Sequence, residues 1–235
     1  MSNLRNIIRI DNGDGSLVDL WDLGFRVLRL PPLEIPEVIT DGIVIPGRSE
    51  ALLDSHEQMK DLRKTAELSY VGNDVMSAVW NLVEAKRVQF GNEKQFVYLS
   101  SGRAAQTVDR LILDWHRFSF NWVVKPLKRE SDPAVIVGKS TEATNPGNWY
   151  SEPTIKLGVG TERDLTVTVG DQVIELTGVE GEIVIDSEAK MVTENGVAID
   201  HKMSGDFPRI EAGATVVLTC PEADTMQTVP NWRWR

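Results

Sequence analysis

The chain has 235 residues, 41% of them apolar and 26% charged, with a formal net charge of −10. A chain of this size can bury a sizeable core without cross-links and has room for one large or two modest domains. The single cysteine, Cys220, excludes an internal disulfide and a cysteine-built zinc site. The acidic excess, with no basic patch, argues against a nucleic-acid reader. The histidines His56, His116 and His201 show no ligand spacing. The N-terminal Met-Ser-Asn-Leu-Arg-Asn-Ile-Ile-Arg has no long apolar core, so no signal peptide is expected. No apolar run approaches the roughly 18 residues of a membrane span. A soluble protein of a reducing cytoplasm, without membrane insertion, is expected.

From the N-terminus, Asp11-Asn12-Gly13 reads as a turn. Phe25, Val27, Leu28 and Leu30 suggest a strand that Pro31-Pro32 ends, and Pro36 keeps the next segment extended or at a sheet edge. Residues 52–66 fit either a strand or a helix, while Ala66, Leu68 and Tyr70 alternate with polar neighbours and favour a strand over 65–71. Asn73 to Lys86 is the clearest helix. Val75, Met76, Val79, Leu82 and Val83 recur at helical spacing, Asn73 or Gly72 can cap it, and Lys86 and Arg87 suit its negative end. Strand-like runs follow at Gln95–Leu99, Val108–Trp115 and Phe118–Val124. In the last, Phe118, Phe120 and Trp122 share a face, read as core or subunit interface.

The polar run Lys125 to Asp132 has no periodicity and marks a domain boundary, giving domains 1–132 and 133–235. Beyond it helical patterns vanish. Short strands are expected at Val135–Val137, Thr154–Leu157, Leu165–Val169, Val173–Leu176, Ile183–Asp186, Met191–Glu194, Val197–Asp200, Thr215–Cys220, Met226–Val229 and Trp232–Trp234. Gly170-Asp171 and Asn195-Gly196 read as tight hairpin turns. Many short strands with Gly and Asn turns indicate an antiparallel sandwich or jelly roll. Ser204-Gly205-Asp206-Phe207-Pro208 reads as a bend around an apolar anchor, Phe207.

Candidate chemistry is sparse. Asp186 and Glu188 would share a strand face, but neighbours on one strand do not straddle a glycosidic bond, so a solvated or hydrogen-bonded edge is the reading. His201 with Ser204, or His116 with Ser119, has no nucleophile elbow around it. The glycines at 158, 160 and 170 form no phosphate loop. In Asn231-Trp232-Arg233-Trp234-Arg235 the indoles can fill a core while the arginines face acidic or aromatic neighbours. Trp149 and Trp232 are the candidate sugar contacts. No catalytic residue, metal ligand or cofactor site is expected, and the chain is read as a non-enzyme.

Several of these pieces, in order and spacing, resemble the distal tail protein (Dit) family of long-tailed bacteriophages of Gram-positive hosts. They are Asn145-Pro146-Gly147-Asn148 before Ser151-Glu152-Pro153, Ile183-Val184-Ile185-Asp186-Ser187-Glu188, Ser204-Gly205-Asp206-Phe207-Pro208, and the terminal Asn-Trp-Arg-Trp-Arg with Trp232 and Trp234. Ile45-Pro46-Gly47-Arg48, the single helix and the Leu113–Lys128 stretch resemble the family's N-terminal half. The resemblance implies a mainly β chain of two domains. The first is a ring-forming β-sandwich with one α-helix and a β-hairpin extension; the second is a galectin-like antiparallel β-sandwich. It implies a homohexameric hub at the tail tip of the virion. That hub joins the tail tube protein to the tail-associated fibre or lysin protein, with receptor-binding proteins as further partners and a channel for DNA passage. The alternative reading is a carbohydrate-binding module for host cell-wall polysaccharide.

Overall fold

The structure, a computed structural model, describes residues 6–43, 52–103, 107–112 and 115–235, with the side chains of 40–58 and 102–115 left out. The Ile45–Arg48 piece of the resemblance lies outside the described residues, as do residues 113 and 114. Among the described residues the fold is mainly β with one α-helix, and every strand pairing is antiparallel. The chain divides into two compact units between Ser131 and Asp132.

Unit 1 contains β1 (Ile8–Asp11), β2 (Val18–Asp19), β3 (Phe25–Arg29), β4 (Val38–Ile43), β5 (Leu52–Met59), β6 (Leu62–Val71), α1 (Val75–Val83), β7 (Arg87–Phe90), β8 (Phe96–Arg103), β9 (Thr107–Ile112), β10 (Trp115–Val124) and β11 (Lys128–Glu130). The main path is β2-β1-β7-β8-β10-β6-β3, with β9 on β10 and β11 on β8. It curls on itself, because the turn from Asp19 to Gly24 carries β2 at one edge into β3 at the other. Leu20 bridges the edges: its N–H donates to Ile8 O and its O accepts from Phe25 N, each at 2.9 Å. The curl closes over an aromatic core. Phe25 packs edge-on against Phe118 at 6.2 Å, and Phe90 against Trp122 at 5.7 Å. The stripe Phe118, Phe120 and Trp122 is buried there.

Residues 52–66, ambiguous by pattern, are strand at both ends. Leu52–Met59 pairs with Val38–Ile43 as a separate two-stranded hairpin, and Leu62 opens β6. The strand expected over Val108–Trp115 divides differently, since Trp115 begins β10 and pairs with Val71. The helix is shorter than its pattern. Asp74 caps it, accepting the Ser77 N–H at 3.2 Å, and Lys86 and Arg87 lie beyond its end. Arg87 begins β7 because its guanidinium is held by the buried Asp11, at 2.7 Å.

Unit 2 contains β12 (Ile136–Val137), β13 (Ser140–Thr144), β14 (Thr154–Val169), β15 (Gln172–Asp186), β16 (Met191–Glu194), β17 (Val197–Ala198), a 3-10 turn (Asp200–Lys202), β18 (Met203–Ser204), β19 (Thr215–Thr219), β20 (Thr225–Val229) and β21 (Arg233–Trp234). The order is β12-β20-β14-β15-β16-β17, with β19 joining β13 to β14 and β18 on β15. The four short strands expected between 154 and 186 are in fact two long ones. β14 and β15 pair from Thr154↔Asp186 to Val169↔Gln172 around the Gly170-Asp171 turn. The apolar alternation lapses at Glu162-Arg163-Asp164, where the register shifts on either side of Arg163. A bulge of this kind interrupts the side-chain pattern without ending the backbone ladder. Ile155, Leu157, Leu165 and Val167 of β14 face Ile174, Leu176, Ile183 and Ile185 of β15 in one core. Each such burial is worth about 1.5–3 kcal/mol. Asn195 (φ 50°) and Gly196 (φ 81°) make the turn between β16 and β17.

Asp11 gives the fold an acid-sensitive point. Burial alone would raise its carboxyl pKa, but N–H donation from Gly13 and Gly15 and the Arg87 guanidinium hold it below the ordinary aspartate value. A group depressed in the folded state binds fewer protons there than in the unfolded chain. Its stabilising contribution is therefore present above the unfolded pKa and lost as pH falls through the folded one. Replacing Asp11→Asn should flatten the loss of unit 1 stability between about pH 5 and pH 2, read as urea midpoint against pH. An unchanged slope would exclude this role.

Candidate functional site

Four stretches of unit 2, far apart in sequence, meet around Arg233. The residue is 6% exposed. Its Nη2 lies 2.9 Å from Glu152 Oε2 and 3.5 Å from Glu188 Oε1, as ion pairs rather than aligned hydrogen bonds. Its guanidinium also lies 5.9 Å from the Tyr150 ring centre. Glu152 holds Lys190 at 2.9 Å through its other oxygen, and Lys190 in turn sits 5.7 Å over the Phe207 ring. A buried guanidinium needs these carboxylates, because an unpaired charge in low dielectric is costly.

The backbone around this centre is equally tied. Asn231 donates from Nδ2 to Glu152 O at 3.0 Å and to Thr154 Oγ1 at 3.1 Å. The buried Asn145 donates to Trp149 O and Ile210 O, both at 3.0 Å, and accepts the Gly147 N–H at 2.9 Å. Ser151 exchanges both backbone hydrogen bonds with Ile210 at 2.9 Å. The Ser187 N–H donates to Pro153 O at 3.2 Å. Ser151 and Ser187 are fully buried. Asn145-Pro146-Gly147-Asn148, Ser151-Glu152-Pro153, Asp186-Ser187-Glu188 and the terminal Asn-Trp-Arg-Trp-Arg are thus parts of one knot.

The sequence candidates take individual places. β15 ends at Asp186, so Asp186 and Glu188 do not share a strand face as expected. Asp186 Oδ1 instead accepts the N–H groups of Glu188 at 3.1 Å and Ala189 at 3.0 Å, closing the turn. Such a turn-closing carboxylate suits a structural role, not general acid or base work. Trp232 is 8% exposed and lies in the core, so it presents no ring face for stacking on sugar, contrary to the sugar-contact expectation. Trp149 is half-buried, its ring 5.6 Å from that of Tyr150. Trp234 and Phe207 pack on the core from its edge, and Pro208 is buried. Ser204 pairs with Glu175, and Asp206 is exposed. Gly205 has φ 100° and passes so close to Val173 O that a Cβ would collide with it, so the bend requires glycine.

His116 points into the sheet interior while Ser119 is on the solvent side, so they do not meet; His201 is exposed on the 3-10 turn. Cys220 is buried, and burial pushes its thiol pKa up. Among the described residues there is no group of three or more His, Cys, Asp or Glu placed to hold a metal ion. Among them, too, no helix is long and apolar enough to cross a membrane.

Unit 1 offers exposed apolar surface. The segment between β3 and β4 has no regular secondary structure, with Leu33 66% and Ile35 93% exposed. It is pinned from behind. Asn92 donates to Pro31 O at 3.0 Å, and Lys64, only 1% exposed, donates to Pro32 O at 3.1 Å and lies 3.8 Å from Glu34. Burial lowers the Lys64 pKa, while the charges of Glu34 and Glu93 oppose that. On α1, Val75, Ala78, Val79 and Leu82 face the core while Met76 and Trp80 stand 58% and 54% exposed. Sequence pattern could not foresee this: Met76 fits the helical period as well as any core residue, and Lys64 reads as surface.

Replacing Arg233→Met leaves Glu152 and Glu188 facing an uncharged neighbour and should destabilise unit 2 by about 3 kcal/mol. Adding Glu152→Gln should recover part of the loss. The readout is amide exchange of β14 and β15 in urea; equal exchange in all variants would show that the knot is not structural.

No protein-family model matches the chain, and no curated protein sequence is significantly similar to it. Its fold matches a solved one: the crystal structure of SPP1 Dit (gp 19.1), described as a paradigm of the hub adsorption apparatus in phages infecting Gram-positive bacteria. The TM-score is 0.66 at 15% sequence identity, over 95% of this chain and 97% of that one. At that identity the likeness is one of fold, and the chain has the fold of SPP1 Dit from end to end.

Proposed function

We propose that the protein is a non-enzymatic structural component of a bacteriophage tail tip. It would act as a homohexameric hub joining the tail tube to the host-adsorption apparatus, with unit 1 forming the ring and unit 2 the galectin-like outer domain. The observation that carries this reading is the match to SPP1 Dit over 95% of this chain and 97% of that one. The surface of unit 1 supports it. A closed ring needs two different, mutually complementary patches on each subunit. Unit 1 exposes the segment with Leu33 and Ile35, and separately Val71, Met76 and Trp80 at the helix. Contiguous exposed apolar patches mark contact surfaces, and these side chains are the candidates for them.

The remaining partners belong to the same reading: the tail tube protein on one side and the fibre or lysin protein, with any receptor-binding proteins, on the other. The net charge of −10 suits a channel through which DNA slides, because like charge leaves phosphates nothing to hold. The virion tail tip is the corresponding location.

The purified chain, alone or with its neighbouring tail proteins, should form six-fold rings in electron micrographs and hexamer mass in light scattering. Ile35→Asp and Trp80→Asp should each shift it toward monomer without lowering the thermal midpoint. Strict monomers in the presence of both neighbours, or variants that assemble as well as the parent, would overturn the reading.

A further inference from the structure

Residues 30–36, between β3 and β4, join no sheet. Pro31, Pro32 and Pro36 have no N–H to offer one. Two side chains from elsewhere in unit 1 hold the first half of this segment. Asn92 donates to Pro31 O at 3.0 Å, and Lys64 Nζ to Pro32 O at 3.1 Å. At the far end the Lys60 N–H donates to Glu37 O at 3.0 Å. Between those ties Leu33 and Ile35 make no hydrogen bond with other described residues. Lys64 is therefore placed to decide where both side chains stand.

A cluster of charges lies under the segment. Lys64 Nζ is 3.8 Å from Glu34 Oε2 and 5.4 Å from the Tyr98 ring centre. The Tyr98 hydroxyl donates to Glu93 Oε2, and Lys128 Nζ to Glu93 Oε1, each at 2.7 Å. Glu93 is thus taken by two donors. The close groups that answer the Lys64 charge are Pro32 O and Glu34, both on the segment. A buried ammonium must keep such contacts. A neutral amine needs them less, and its hydrogen bond is about half as strong.

We propose that Lys64 is a releasable clasp: its charged amine holds residues 31–35 in the course that presents Leu33 and Ile35, and loss of that charge sets the segment loose. Protonation supplies the signature. Burial, more than any other influence, lowers the Lys64 pKa; Lys128 adds to it, while Glu34 and Glu93 oppose it. Burial and the Glu93 hydrogen bond raise the Tyr98 pKa, so its hydroxyl stays protonated over the same range. The folded chain thus holds the Lys64 proton less tightly than the unfolded one. Stability lost to the buried charge returns as pH rises through the folded pKa toward the ordinary lysine value of about 10.4. Over the same interval the segment is released. Fold stability and segment order move in opposite directions, which a residue that only supports the fold would not produce. The clasp does not depend on the hub reading; only its effect on assembly does.

The test is a nitroxide on Ile35→Cys in the full chain, Cys220 being buried and out of the reagent's reach. Electron spin resonance reads the label's mobility, and light scattering of the same samples reads assembly. Adding Lys64→Met should shorten the label's correlation time by about twofold or more without lowering the thermal midpoint. The chain that keeps Lys64 should loosen in the same way between about pH 7 and about pH 10, and the Lys64→Met chain should show no such response. Glu34→Gln removes a charge that favours the ammonium, so it should bring the loosening to lower pH; it decides the matter if Lys64→Met folds poorly. A label equally rigid in all three chains, or a pH response that survives Lys64→Met, would overturn the clasp. Rings formed by chains whose label stays rigid throughout would do so while leaving the hub reading intact.

Discussion

Arg233 cannot stay buried without its carboxylates. That constraint organises much of unit 2, since the partners Glu152 and Glu188 lie 81 and 45 residues before Arg233 in the chain. Glu152 precedes β14, Glu188 follows β15, and Arg233 lies near the end of the chain. The long β14–β15 hairpin fixes both carboxylates at its open end, because Thr154 pairs with Asp186 there. The last residues of unit 2 close over that end. Asn231 ties its backbone to Glu152 and Thr154, and Trp232 drops into the core. The ion pairs orient the closure, and the apolar core beneath supplies most of its stability.

Unit 1 solves a different problem. A curled antiparallel sheet removes most of its own edges, which protects it from uncontrolled strand pairing. Its aromatic core leaves Leu33, Ile35, Met76 and Trp80 outside. The segment between β3 and β4 is held there by force of chemistry: Lys64 is taken out of water, and Pro32 O and Glu34 compensate its charge. A buried lysine is an expensive fastening compared with an apolar contact. Its effect is to fix the course of a segment that has little core of its own. An exposed apolar segment on a rigid base loses less entropy on association than a floppy one would.

Function in such a protein resides in surfaces, and the two units differ in the surfaces they offer. Unit 1 presents apolar side chains suited to protein contact. The outer face of unit 2 presents exposed polar side chains such as Lys156, Glu182 and Gln227. A fold alone does not decide between assembly and ligand binding. The side chains left outside by that fold do.

The sequence by itself determined the mainly β character, the single helix, the turns at Gly170-Asp171 and Asn195-Gly196, and the set of pieces that resemble the Dit family. These are local properties: period-two alternation, helical spacing and turn chemistry act over a few residues and can be read from a few residues. Tertiary structure decided the rest. It joined four expected strands into two, because backbone pairing continues through a bulge where side-chain alternation lapses at Glu162-Arg163-Asp164. It ended β15 at Asp186 and turned Asp186 and Glu188 to separate tasks. It buried Lys64 and left Trp80 outside, since burial depends on what packs opposite a residue rather than on the residue's own polarity. It also assembled the Arg233 knot, whose members lie far apart along the chain and become neighbours only when the sheet closes.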